Sequence, residues 1–379
     1  MSIKNITVLG SGIMGHGIAQ VSAMAGYKVV LRDIEQKFLD KAMDKIKWSL
    51  QKLAEKNRIS KEEVDIFYNN ITPVVNLQTA IEKADLIIEA VPEDYDLKKK
   101  VYQELNSLAE RNIIFASNTS TLPITELSKL TDRPDKFIGV HFFNPPQLMK
   151  LVEVIPGTRT DPKVTHEVTN YINKINKRPV VCNKDVSGFI VNRVFIPMVH
   201  EALYSMDRDK VSMEVIDSSV KFNMGFPMGI FELADYTGLD VIHKASYEMY
   251  LRDKTVLLPH SKIKELFDNH DLGQKSGKGF YEYKGGNYER IDLTPERASQ
   301  YHPYSILGIA ANNAAWLIDN EVCAIEDLND ALKLGMGLKM DIFDLFKKNG
   351  PSDIINKLLE LESKYGSFYH PNQYLYSIK

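Results

Sequence analysis

The hexapeptide Gly10-Ser11-Gly12-Ile13-Met14-Gly15 follows an apolar run at residues 3–9 that reads as a strand, and it opens a segment of helical periodicity. Three glycines at this spacing constrain the chain tightly. Gly10 permits a sharp turn, Gly12 lets backbone approach a pyrophosphate, and Gly15 lets the following helix lie close against the strand. Ile13 and Met14 begin that helix, whose N-terminus offers unpaired N–H groups and partial positive charge to phosphate. A bare GxGxxG is weak evidence, but here a second strand follows and ends in Asp33, 18 residues past Gly15. An acid at that distance accepts hydrogen bonds from a ribose and repels a 2′-phosphate. The combination predicts a dinucleotide site with NAD favoured over NADP, a preference that Arg32 and Lys37 blunt.

The first 180 or so residues continue this alternation. Strand patterns fall at 28–32, 86–91, 113–116, 137–140, 151–155 and 179–181, with helical patterns between them, as at 97–110 and 164–176. Such βαβα order predicts an α/β Rossmann-type doubly wound domain over residues 1–184, its parallel sheet covered by helices on both faces. Residues 36–70, rich in Lys and Glu, are too long for one crossover and predict a helical hairpin beside the sheet. After Lys184 strand signals nearly vanish. Helices are expected at 186–206 and 213–222, and the glycine-rich stretch 273–283 closes an all-α domain over 185–286.

Residues 287–379 repeat that domain. Shifting residues 200–242 by 112 places Ala202, Glu214, Lys221, Met224 and Gly225 on Ala314, Glu326, Lys333, Met336 and Gly337. The matched residues are mostly apolar or glycine, so a packing unit has been copied. At the same offset Asn192 becomes Tyr304 and Pro227 becomes Lys339. The copy is expected to keep the fold without the functional positions.

Charge excludes several classes of function. Lys and Arg number 47 against 50 Asp and Glu, a net charge of -3 that argues against a dedicated nucleic-acid or membrane-surface binder. No run of about 18 apolar residues predicts a membrane span. The strand starting at Ile3 leaves no room for a leader peptide, and two cysteines, Cys182 and Cys323, are too few for a disulfide framework. A cytoplasmic protein is expected.

Moving a hydride to or from a carbinol carbon requires a matched proton transfer at its oxygen, and histidine suits that task. His141 stands just past the strand at 137–140, where ligands bind in doubly wound sheets. Glu153, in the apolar run 151–155, is a carboxylate that burial would penalise unless paired, and His141 is a natural partner. A core histidine in a turn fits these residues equally well.

Further motifs break that tie. Glu89-Ala90-Val91-Pro92-Glu93, Ala116-Ser117-Asn118-Thr119-Ser120, His141-Phe142-Phe143-Asn144-Pro145, Lys150-Leu151-Val152-Glu153-Val154, Gly188-Phe189-Ile190-Val191-Asn192-Arg193, Pro227-Met228-Gly229 and Ser276-Gly277-Lys278-Gly279-Phe280-Tyr281 follow Gly10–Gly15 in order. From Ile3 to about Tyr283 the chain resembles the L-3-hydroxyacyl-CoA dehydrogenase family, and the tail resembles a second copy of its C-terminal domain. The resemblance implies an acyl-CoA substrate, with His141 as acid/base and Glu153 as its orienting partner. It implies that Ser120 and Asn192 hold substrate oxygens, and that Glu93, Lys98, Asn144 and Lys275 contact the nicotinamide side or ribose. Ser49 and Lys56, in the hairpin, fall where the family contacts CoA, and the resemblance implies that role for Lys98 as well. In short members of the family two chains pair through their C-terminal domains, so the tail is expected to supply that surface within one chain; a homodimer stays open.

Each position also has a plain reading. Ser120 could start a helix before Pro123, Asn192 could be a structural amide inside a helix, and Lys56 and Lys98 could be solvated helix charges. Glu93 and Asn144 could be turn residues, Ser49 an ordinary helix serine, and Lys275 plain surface. His200-Glu201 begins like a zinc-protease helix, but Tyr204 occupies the second histidine position, so no metal site is expected. Cys182 reads as a small core residue. Rival functions are a dehydrogenase of a free hydroxy acid or sugar acid, and a non-catalytic NAD-binding structural protein.

Overall fold

In a computed structural model, residues 3–283 and 293–378 are described, in two compact units, Met1–Asp185 and Val186–Lys379. The first unit is built on eight strands: β1 (Asn5–Leu9), β2 (Lys28–Arg32), β3 (Ile71–Val74), β4 (Leu86–Glu89), β5 (Ile114–Ser117), β6 (Phe137–Phe142), β7 (Leu151–Pro156) and β8 (Arg178–Val181). They form one sheet in the order β3-β2-β1-β4-β5-β6-β7-β8. The chain winds outward from β1 in one direction and, starting again at β4, in the other. The carboxyl ends of β1 and β4 therefore border the crevice of a doubly wound sheet.

Two features depart from the sequence expectation. β7 runs antiparallel to β6, although every other pair is parallel. Only residues 143–150 join the two strands, too few for a crossover helix, so the chain must turn back on itself. The edge strand β3 carries no usable signal. It is four residues long, contains Pro73, and buries only Ile71 fully. A proline is tolerated there because one edge needs no partner.

Residues 36–70 do form a helical hairpin, Gln36–Glu55 followed by Lys61–Asn69. Leu39, Ala42, Met43, Ile46 and Leu50 make one buried stripe at helical spacing, which is why a Lys- and Glu-rich segment still packs. Its second helix starts at a reciprocal cap. Ser60 Oγ accepts from Glu63 N at 3.2 Å, and Glu63 Oε2 accepts from Ser60 N at 2.7 Å.

The second unit is helical. Its successive long helices are Val191–Asp209, Met213–Phe222, Ile230–Thr237, Leu239–Arg252 and Ser261–Asp268, then Tyr304–Asp319, Ile325–Met336, Ile342–Lys348 and Pro351–Tyr365. Among the described residues its only β-pairing is a pair of isolated bridges around Lys278. The first helix begins at Val191 rather than Val186, because Gly188 and Phe189 hold positive φ of 82° and 51° in the preceding turn. The expected domain boundary at 286/287 lies outside the described residues.

Tyr304–Asp319 is buried over most of its length and packs along Val191–Asp209. Arg193 lies 3.7 Å from the centroid of the Trp316 ring, and buried Glu201 accepts from Tyr369 Oη at 2.5 Å and Arg208 at 2.8 Å. No described helix is long and apolar enough to cross a membrane.

Candidate active site

The glycine turn joins β1 to the helix Ile13–Met24. Gly10 has φ +94°, and a Cβ there would stand 2.6 Å from the Ala90 carbonyl oxygen, so the turn and the end of β4 touch backbone to backbone. A Cβ on Gly15 would fall 1.7 Å from the Gly10 carbonyl oxygen. Gly12 is different, since a Cβ there meets nothing within 4 Å. The helix that follows has no side-chain cap and no acidic residue in its first turn. Uncapped N–H groups beside an open glycine suit the phosphates of a dinucleotide. Ile13 is exposed and Met14 half-buried at this end of the helix.

Asp33, one residue beyond β2, points back at the same turn. Its Oδ2 accepts from Ser11 N at 2.7 Å and Ser11 Oγ at 2.6 Å, and its Oδ1 from Ile34 N at 2.7 Å. Ser11, inside the glycine motif, has a role that sequence spacing did not reveal: it fixes the carboxylate.

His141 lies within β6, not just past it, because the strand continues to Phe142. Antiparallel register sets it directly opposite Glu153 on β7. Nδ1 of His141 is 2.6 Å from Glu153 Oε2, with the imidazole 5% exposed and the carboxylate fully buried. The histidine is thus neither in a turn nor unpaired.

Glu93, past the end of β4, gathers the loop after β5. Its Oε1 accepts from Ser120 N at 3.0 Å, Thr121 N at 3.2 Å, Thr121 Oγ1 at 3.0 Å and Thr119 Oγ1. Its other oxygen lies 3.1 Å from Lys98 Nζ, which also contacts Glu89 at 2.6 Å. Lys98 is only 1% exposed, so the solvated-charge reading is wrong. Burial alone would lower the Lys98 pKa, but the two carboxylates raise it above the usual ammonium value. Burial likewise works against ionised Glu93, and the Lys98 charge with the threonine hydroxyls holds its pKa below normal. Ser120 does not start a helix, because the next one, Ile124–Ser128, is preceded by Pro123 at its cap. Asn118 has no spacing signal of its own; its Oδ1 accepts from Phe142 N at 2.9 Å, beside His141.

Other expected residues are more scattered. Asn144 is exposed and precedes a cis peptide bond to Pro145. Ser49 accepts from Gln20 Nε2 at 3.0 Å and lines a cavity of about 310 Å3 with Gln147 and Lys177. Lys56 is exposed at the C-terminal end of the first hairpin helix. Asn192 and Lys275 belong to the second unit. Asn192 is half-buried in the first turn of Val191–Asp209 rather than inside an apolar helix, and Lys275 is paired with Asp240. Cys182 is buried, its thiol donating to Lys184 O at 3.0 Å. His200 and Glu201 are buried within the helical unit. Among the described residues no cluster of His, Cys, Asp and Glu is arranged to hold a metal.

The chain matches two family models, the NAD binding domain of 3-hydroxyacyl-CoA dehydrogenase over residues 5–186 and its C-terminal domain over 188–283. It is 39% identical over 290 residues to a mitochondrial hydroxyacyl-coenzyme A dehydrogenase of Rattus norvegicus, a match covering 74% of this chain and 92% of that one. It is 38% identical over 291 residues to a probable 3-hydroxybutyryl-CoA dehydrogenase of Bacillus subtilis, covering 75% and 99%. Among solved structures, a 3-hydroxybutyryl-CoA dehydrogenase from Escherichia coli superposes with TM-score 0.87 at 25% identity, covering 100% of this chain and 98% of that one. The (S)-3-hydroxybutyryl-CoA dehydrogenase of Ralstonia eutropha gives TM-score 0.71 at 34% identity, covering 75% and 100%. With a glycine turn fit for a dinucleotide and a buried His–Glu pair on the same sheet, the chain belongs to the 3-hydroxyacyl-CoA dehydrogenase family of NAD-dependent oxidoreductases.

Proposed function

We propose that this enzyme interconverts (S)-3-hydroxyacyl-CoA and 3-ketoacyl-CoA with His141 as its acid/base. The observation that carries the assignment is the 2.6 Å contact between His141 Nδ1 and Glu153 Oε2, buried in the sheet that carries the glycine turn. NAD, when bound, supplies the hydride acceptor. Gly10, Gly12, Ile13, Met14 and Gly15 would hold its phosphates and Asp33 its adenosine ribose, with Glu93, Lys98, Asn144 and Lys275 toward the nicotinamide end.

During oxidation His141 takes the hydroxyl proton at Nε2, because Nδ1 is directed at Glu153. Glu153 stabilises the resulting imidazolium; a charge-assisted hydrogen bond contributes about 1.5–3 kcal/mol. Ser120 and Asn192 stabilise charge developing on the substrate oxygen. In reduction His141 returns the proton. Ser49 and Lys56 are assigned to CoA, with the cavity beside Ser49 as support. Lys98, enclosed by Glu89 and Glu93, serves the cofactor end better than CoA.

A short acyl chain, such as 3-hydroxybutyryl, is the preferred substrate. Its support is the naming of the Bacillus subtilis, Escherichia coli and Ralstonia eutropha relatives for that chain length. A free hydroxy acid is the competing substrate. Stopped assays of NADH oxidation with 3-ketoacyl-CoAs of graded length, with acetoacetate, and with NADPH in place of NADH separate these readings. Acetoacetyl-CoA should be reduced far faster than acetoacetate, and NADH should give the higher kcat/KM. Equal use of the free acid would end the CoA assignment.

Residues 1–184, 185–286 and 287–379 are read as an NAD-binding domain and two helical domains related by duplication. In support, the helices Val191–Asp209, Met213–Phe222, Ile230–Thr237 and Leu239–Arg252 recur as Tyr304–Asp319, Ile325–Met336, Ile342–Lys348 and Pro351–Tyr365, starting 113, 112, 112 and 112 residues later. The copy would act as a built-in partner and favour a monomer. A cytoplasmic location is the matching reading, on a chain with two cysteines, both buried, although mammalian relatives are named mitochondrial.

A further inference from the structure

We infer that Glu89, which no part of the mechanism above employs, is a positioning residue for cofactor binding, acting through Lys98 on Glu93. The inference rests on the assignment of Glu93 and Lys98 to the cofactor.

Glu89 ends β4 and is fully buried. A carboxylate in that position is costly unless every lone pair is engaged and a counter-charge is near. Both conditions hold. Oε1 accepts from Val91 N at 2.9 Å and Lys98 Nζ at 2.6 Å. Oε2 accepts from Tyr102 Oη at 3.0 Å and Ser117 Oγ at 2.7 Å. Ser117 stands beside Glu89 in the β4–β5 register, and Tyr102 shares a helix with Lys98. Four donors from three elements therefore fix one carboxylate.

Its consequence is carried outward by the ammonium. Lys98 Nζ bridges to Glu93 Oε2 at 3.1 Å, while Glu93 Oε1 gathers the backbone of Ser120 and Thr121. Exposure rises along this row, from 0% at Glu89 and 1% at Lys98 to 24% at Glu93. The buried end is held by four hydrogen bonds and the outer end meets solvent beyond the carboxyl end of β4. Two carboxylates share one ammonium, so the row keeps one net negative charge. A neutral residue at position 89 would leave Lys98 with Glu93 as its only counter-charge. The ammonium would then be free to follow Glu93 toward water. A carboxylate, rather than an apolar residue, is what prevents that motion.

Steady-state kinetics of Glu89→Gln, Glu93→Gln and the double variant test this, with thermal unfolding measured on each. Glu93→Gln and Glu89→Gln should each raise KM for NADH about five- to tenfold, with kcat falling less than threefold. The double variant should stay within twofold of Glu93→Gln, because the two residues act along one row. A folded Glu89→Gln enzyme with unchanged KM for NADH, beside an impaired Glu93→Gln, overturns the inference. Multiplying effects also overturn it, since they mean independent action. If Glu93→Gln itself leaves KM unchanged, the cofactor assignment of Glu93 fails and the inference falls with it. Should Glu89→Gln not fold, Tyr102→Phe removes one donor to Glu89 at nearly constant volume. A two- to threefold rise in KM then supports the inference, and no change sinks it.

Discussion

His141 and Glu153 face each other across an antiparallel pair, twelve residues apart in sequence and 2.6 Å apart in space. Only the reversal of β7 makes this possible. In a parallel arrangement residues so close in sequence could not be opposite one another, since a crossover would have to separate them. The His141→Gln enzyme should therefore lose about 10²–10⁴ in kcat, the usual magnitude for a lost general base. Glu153→Gln should lose about 10–100-fold, the equivalent of a charge-assisted hydrogen bond. NADH affinity, read by fluorescence titration, should be kept in both. Near-native turnover of His141→Gln would remove the proton carrier from the mechanism.

The second and third glycines of the motif should fail differently. A methyl on Gly15 meets the Gly10 carbonyl at 1.7 Å, and backbone must shift to admit it. Gly15→Ala should cost about 2 kcal/mol or more in stability and lower Tm by several degrees. A methyl on Gly12 meets open space. Gly12→Ala should keep Tm and raise KM for NADH about tenfold, a loss near 1.4 kcal/mol in binding. Equal loss of Tm in both would contradict the separation of packing from ligand approach.

Asp217 should make stability depend on pH. It is fully buried, and burial pushes its carboxyl up to about 7, against hydrogen bonds from Phe231 N at 2.9 Å and Tyr281 Oη at 2.8 Å. In the unfolded chain the same carboxyl titrates near 3.8. The folded state thus favours the protonated form, so the contribution is complete below about pH 4 and is lost as pH rises through about 7. Relative to Asp217→Asn, the wild-type chain should gain on the order of 4 kcal/mol between pH 7 and pH 4 in urea unfolding. A pH-independent difference would mean that Asp217 stays ionised throughout.

Removal of the tail should be destructive. Glu201 is fully buried and takes one of its hydrogen bonds from Tyr369, while Ser205 pairs with Ser305 at 3.0 Å. Truncation after about Gly286 would strip those partners and bare the apolar face of Val191–Asp209. The truncate should aggregate or unfold. Tyr369→Phe should cost about 1–3 kcal/mol by leaving a buried acceptor short of a donor. A soluble, monomeric, fully active truncate would refute the role of the tail as a built-in partner.

Much of the fold was legible because its signals are local. Strand and helix periods, the glycine turn, Asp33 at the end of β2 and the hairpin at 36–70 each depend on neighbours within a few residues. The E-x-x-x-E of Glu89 and Glu93 and the helical position of Lys98 were visible too, but not their burial. Ser11, Asn118 and Thr121 carry small polar side chains whose partners are chosen by other strands, so nothing in their spacing distinguished them.

Local sequence was enough for the element types, the dinucleotide turn, the family resemblance and the choice of His141 and Glu153 as a couple. Tertiary structure alone decided that β7 runs backward, that β3 exists, that Lys98 is enclosed, and that Asn192 sits at a helix start. The division is one of range. Periodicity and turn chemistry are settled by residues adjacent in the chain, whereas strand direction, register and the burial of a charge follow from which distant surfaces finally meet.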